Sequence, residues 1–143
     1  MNGAFNILII ASFLFTACTP DDRSAFEEIE QSMQVQEDAW NRGDLEVFMD
    51  AYWKNDELIF IGKRGLSKGW QTTLENYKKG YPDRASMGTL LFSNDTLIRM
   101  DDKVVFVAGQ WTLFRATDTL QGAYSLTWEY LQKRWVITTD HSS

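Results

Sequence analysis

The sequence holds one cysteine, Cys18, one histidine, His141, and two prolines among 143 residues. A lone cysteine excludes an internal disulfide. One histidine and no thiol pair leave only scattered carboxylates, a poor donor set for a metal. No Gly-x-Ser-x-Gly elbow is present and Cys18 lies in the leader, so nucleophilic catalysis has no signal. No Gly-rich phosphate loop and no other cofactor motif occurs. Positive charge is scarce as well: 14 Lys and Arg against 20 Asp and Glu give a formal net charge of -6, which argues against a nucleic-acid partner. There is no internal repeat and no low-complexity segment.

Aromatic residues are abundant: six Trp, five Tyr and nine Phe. Such side chains bury large areas and line small-molecule pockets, and they also fill cores. The length suits one domain with a real core.

The first stretch reads as an address. Ile7 to Phe15 is apolar and uncharged, too short for a bilayer span of about twenty residues but suited to a signal-peptide core. Thr16-Ala17-Cys18 follows and resembles the lipobox of bacterial lipoproteins, whose cysteine is lipid-modified and becomes the new N-terminus. Phe15 stands where Leu is more usual, and Met1 to Asn6 carries no Lys or Arg. We expect a signal peptide over 1–17, a lipid on Cys18, a tether over 18–23 and a domain over 24–143, exported to the bacterial cell envelope. An uncleaved anchor, or an apolar leader on a cytosolic protein, is the other reading.

The domain is organised around Ala39 to Gly62. Gly43 suits the left-handed conformation that closes a helix, and Asp44 suits the cap of the next one. Ser24 and Glu27 match a capping box, and Phe26, Ile29, Met33 and Trp40 recur at helical spacing. The first helix therefore spans about Ala25 to Arg42, and the second Leu45 to Tyr52. Glu57 to Ile61 reads as a strand turning at Gly62–Gly65 into a short partner. Lys68 to Lys79 is a third helix, with Trp70, Leu74 and Tyr77 on one face. From Gly88 onward, four runs rich in Val, Ile, Thr and aromatics predict an antiparallel meander. They are Gly88–Met100, Lys103–Arg115, Gln121–Leu131 and Arg134–Asp140. Val104 to Phe114 is apolar on both faces, so the outer face is either covered by a second copy of the domain or wet.

This order of motifs resembles the nuclear transport factor 2-like superfamily, which includes SnoaL-like and ketosteroid-isomerase-like proteins. The resemblance rests on Trp40-Asn41-Arg42-Gly43-Asp44, Tyr52-Trp53, the Gly62 hairpin, Gly69-Trp70, and Trp135-Val136-Ile137 running to His141-Ser142-Ser143. It looks closest to the exported lipoprotein branch that ends in Asp-His-Ser-Ser. It implies an α+β fold: a cone-shaped, curved antiparallel sheet with three N-terminal helices on its concave face, often dimeric, with a pocket inside. The isomerase mechanism does not carry over. Its carboxylate base would fall near Ile59 or Phe60 and its tyrosine near Gln36, and a hydrocarbon cannot abstract a proton.

We expect the pocket to be lined by Trp40, Trp53, Trp70, Tyr77, Trp111 and Tyr124, with Gln36 as an inner polar group. Trp135, Ile137, Thr139 and His141 alternate on one strand face. That alternation puts His141 at the pocket mouth as a candidate acid or base, unless it sits in water or fastens the rim. Three functions fit. One is a lipid-anchored domain binding a small hydrophobic or aromatic ligand. Another is a lyase or isomerase on a small hydrophobic substrate using His141. The third is a homodimeric interaction module without ligand.

Overall fold

The computed structural model describes residues 22–143. The leader, Cys18 and most of the tether lie outside them. The described chain runs α1 (Asp22–Arg42), α2 (Leu45–Met49), β1 (Ile59–Gly62), β2 (Gly65–Lys68), α3 (Trp70–Gly80), α4 (Arg84–Met87), β3 (Thr89–Asp101), β4 (Val104–Phe114), β5 (Thr119–Leu131) and β6 (Arg134–Ser142). It is an α+β fold with N-terminal helices on a curved, unclosed sheet of six strands in the order β2-β1-β6-β5-β4-β3. The expected meander is β3 to β6. The β1–β2 hairpin joins it because β1 pairs in parallel with β6, Phe60 opposite Asp140. A parallel neighbour comes from a distant part of the chain and leaves no local sequence signal.

The corner after α1 forms as the residues require. Gly43 has φ +83°, and Asp44 accepts a hydrogen bond from the Val47 N–H at 3.1 Å. Ile29, Met33, Trp40, Leu45, Phe48 and Tyr52 are buried. Three polar side chains of α1 then bind it to β3 and to the end of α4 just before it. Glu37 accepts from the Phe92 N–H at 2.7 Å, the Trp40 indole donates to the Met87 carbonyl at 3.1 Å, and Asn41 exchanges two hydrogen bonds with the Leu90 backbone. These bonds lay α1 across the inner face of the sheet.

Several boundaries differ from expectation. The helix is already running at Ser24, whose hydroxyl bonds Glu28 one turn on, so no capping box forms there. α2 stops at Met49 because the backbone around Tyr52 leaves to pair with Ile137 of β6. α3 starts at Trp70, after Gly69 at φ +92°, a conformation that an L residue rarely adopts. The single turn α4 is capped by Asp83 and Ser86 reciprocally; four residues are too few for a periodicity to show. β5 begins at Thr119, two residues earlier than Gln121.

One irregularity matters most. β5 pairs Thr127 with Thr139 but Trp128 with Ile137, leaving Thr138 as an extra residue in β6. The Thr138 hydroxyl donates to Glu129 at 2.8 Å. A bulge of this kind shifts the alternation of everything beyond it.

Candidate ligand-binding chamber

Between α1, α3, the β1–β2 hairpin and the inner face of the sheet lies a chamber of about 1010 Å³. Its size suits a drug-sized ligand, whose pockets run about 300–1,000 Å³. Nine aromatic residues line it. Trp40 meets Phe48, Tyr77 and Tyr81 edge-on at centroid distances of 5.2, 6.0 and 4.8 Å. Phe60 meets Tyr77 edge-on at 5.6 Å, and Phe92 meets Tyr124 at 5.7 Å. Such edge-to-face contacts hold each ring in a preferred orientation, so the wall is preformed.

Five expected residues line this chamber: Gln36, Trp40, Tyr77, Trp111 and Tyr124. Gln36 is buried, and its amide donates to the Phe48 carbonyl at 3.2 Å. The Tyr124 hydroxyl donates to Asn94 at 2.6 Å. It reaches Asn94 because Gly109 stands between the strands: a Cβ there would lie 2.4 Å from that oxygen. Burial raises the Tyr124 phenol above the ordinary tyrosine range.

Three expected residues lie elsewhere. Trp70 turns its indole N–H to the Met49 carbonyl at 2.8 Å and carries the Lys54 ammonium 4.5 Å over its ring. Trp53 is half-buried and is not part of the chamber wall; its backbone N–H donates to the Ile137 carbonyl. His141 is exposed and does not border the chamber. The strict alternation that aimed it at the mouth is broken by the Thr138 bulge, which turns Asp140 inward in its place.

Asp140 is the residue that the sequence reading missed. It is 2% exposed and lines the chamber with Ser142. One carboxylate oxygen accepts from the Tyr52 hydroxyl at 2.6 Å, the other from the Ser142 hydroxyl at 2.6 Å. Tyr77 of α3 lies close enough to Tyr52 and Asp140 to feel their charge. Burial pushes the Asp140 carboxyl up to about 6, opposed by the hydrogen bonds from Ser142 and Tyr52 and by His141. Burial, with the Asp140 charge, also raises the Tyr52 and Tyr77 phenols well above their usual value, so both stay protonated as donors. The group poised near neutrality inside the chamber is therefore a carboxyl, not an imidazole.

Lys63, Arg64 and Arg115 border the chamber as well. Arg115 is held by Asp118 through two hydrogen bonds, while Lys63 and Arg64 are exposed on the hairpin. Among the described residues, no cluster of three His, Cys, Asp or Glu side chains is placed to hold a metal. No helix among them is long and apolar enough to cross a membrane.

No family model and no curated protein matches the chain. Solved structures do match. An NTF2-like protein of unknown function from Shewanella oneidensis MR-1 is 42% identical, with a TM-score of 0.79, over 82% of this chain and 98% of that one. The chain belongs to the nuclear transport factor 2-like family. A member of the superfamily from Salmonella enterica shares the fold at 18% identity, with a TM-score of 0.68, over 86% of this chain and 92% of the other. An NTF2-like protein of unknown function from Pseudomonas putida KT2440 does so at 14% identity and a TM-score of 0.69, over 85% and 87%. An NTF2-like fold with this aromatic cluster is compatible with binding a small ligand. The chamber's carboxyl comes from Asp140 of the last strand.

Proposed function

We propose that this NTF2-like chain is a lipid-anchored domain of the bacterial cell envelope that binds a small hydrophobic or aromatic ligand. The observation that carries the reading is the chamber itself: its rings line about 1010 Å³ without filling it. An apolar cavity with a few convergent polar groups is the usual form of a small-molecule site. The anchor is supported by the leader and Cys18. Several acyl chains on one cysteine hold a domain firmly, each buried methylene adding about 0.8 kcal/mol.

The outer face of β3 and β4 supports a homodimer. Leu91 and Phe114 are about half exposed toward one end of it, at 49 and 50%, and Ile98, at 47%, lies beside Phe106 toward the other. Exposed apolar side chains at both ends of one sheet face favour a partner surface, and a second copy supplies a matching one.

A second reading, an acid–base enzyme acting on a small hydrophobic substrate, draws support from Asp140. A carboxyl titrating near 6 beside protonated phenols is suited to moving a proton. Turnover lost in Asp140→Asn with ligand affinity kept would favour the enzyme.

Native mass spectrometry of protein purified from the envelope tests the main reading. Expected are an acylated Cys18, a dimer mass, and a small molecule that leaves at higher collision energy. Protein without retained ligand that also binds no apolar probe would overturn ligand binding. An unmodified Cys18 would overturn the anchor.

A further inference from the structure

The wall of the chamber is neutral except at one deep point and at the rim. The deep point is Asp140. Its two oxygens accept one hydrogen bond each, from the neutral hydroxyls of Tyr52 and Ser142. A carboxylate oxygen offers two lone-pair directions, so each keeps one unused. Asp140 forms no ion pair among the described residues, and the adjacent His141 stands exposed, outside the chamber. A buried charge is costly unless something compensates it. Among the described residues, the groups that face it inside the chamber are Tyr52, Tyr77 from α3, Tyr124 from β5 and Ser142 from β6, none of them a cation; the one positive influence, His141, acts from the exposed side of the strand.

Resting on the ligand-binding reading above, we propose that the chamber takes an organic cation. The ligand is an amine or quaternary ammonium on an aromatic or branched aliphatic body, its nitrogen beside Asp140 and its body among Trp40, Phe60, Tyr77 and Tyr81. The same rings that accept an apolar body attract a cation through their negative faces, most strongly where water is excluded. The carboxylate adds a direct counter-charge in a medium of low dielectric. The cationic rim does not oppose this. Arg115 is neutralised by Asp118, Lys63 and Arg64 stand in solvent where salt screens them, and the net charge of -6 draws cations toward the molecule.

Three benzyl probes decide the matter: benzyltrimethylammonium, its uncharged carbon isostere neopentylbenzene, and the anion phenylacetate. Each is titrated into the purified full-length protein by calorimetry at about pH 7.5. The cation should bind about tenfold tighter than the isostere, and phenylacetate weakest. Asp140→Asn should erase the preference while leaving neopentylbenzene within about twofold, since its body contacts are unchanged. Equal or tighter binding of the isostere or of phenylacetate overturns the proposal and leaves ligand binding standing. So does a preference that survives in Asp140→Asn. Binding of none of the three overturns both. Should the variant fail to fold, the wild-type pair is compared at about pH 4.5, where Asp140 is protonated and Tyr52, Tyr77 and Tyr124 are unchanged. A preference retained undiminished there also overturns the proposal.

Discussion

Two tyrosines cross this chamber and end in hydrogen bonds of the same length. Tyr52 donates to Asp140 and Tyr124 donates to Asn94, each at 2.6 Å. The difference is in the acceptor. Asn94 is an amide at a bulge of β3, neutral at every pH, and its bond fixes a ring against the sheet. Asp140 is a carboxyl carried in by a bulge of β6, and its bond fixes a charge. The same geometry serves architecture at one end of the chamber and stores a chemical potential at the other. The two ends should therefore respond differently to acid, to truncation and to ligand.

The largest expected effect is the pH dependence that Asp140 imposes. Its carboxyl moves from the usual 3.8 to about 6 on folding, so the folded state holds a proton that the unfolded state releases. Stability should fall as pH rises through that window and level off above it, by about 3 kcal/mol in all. Urea denaturation at intervals between pH 3.8 and 7.5 measures it, and Asp140→Asn should flatten the curve. A slope of the opposite sign, or one retained in the variant, would break the contrast between the two ends.

Tyr52→Phe comes next. Removing a donor to a charged acceptor should cost about 2 kcal/mol at neutral pH, and less at pH 4 where the acceptor is neutral. Tyr124→Phe removes a donor to a neutral amide and should cost about 1 kcal/mol, the same at both pH values. Thermal unfolding of both variants at the two pH values gives the comparison directly. Equal pH responses would show that the acceptor's chemistry does not matter.

The smallest effect is expected at His141. Exposed and outside the chamber, it should be replaceable by Ala with a stability change within about 0.5 kcal/mol, and with unchanged probe affinity in calorimetry. A large loss of affinity would return the imidazole to the site.

That last residue shows where the sequence stops being legible. The first three helices, the Gly43-Asp44 corner and the four long strands follow from local chemistry: a left-handed glycine, a capping carboxylate, helical spacing and runs of β-branched residues. Trp40, Tyr77 and Tyr124 could be assigned to a pocket because parity along a regular element gives the face. His141 could not, because parity fails across a bulge. Thr138 and Thr139, two polar residues in succession between Ile137 and Asp140, are the only local trace of it. The parallel pairing of β1 with β6 was hidden for a different reason, since it joins segments distant in sequence. Trp53 and Trp70 carry the right residue type for the chamber, but their indoles lie outside it. Composition alone could not tell them from Trp40.

The central claim is that the last strand delivers a buried carboxyl into an aromatic chamber. Carbon-13 NMR of the aspartate side-chain carboxyls tests it most directly. The account predicts one resonance, lost in Asp140→Asn, with a midpoint near 6 that moves downward when the chamber is occupied by a cation. Asp140 titrating with the exposed aspartates, and unmoved by any probe, would contradict it.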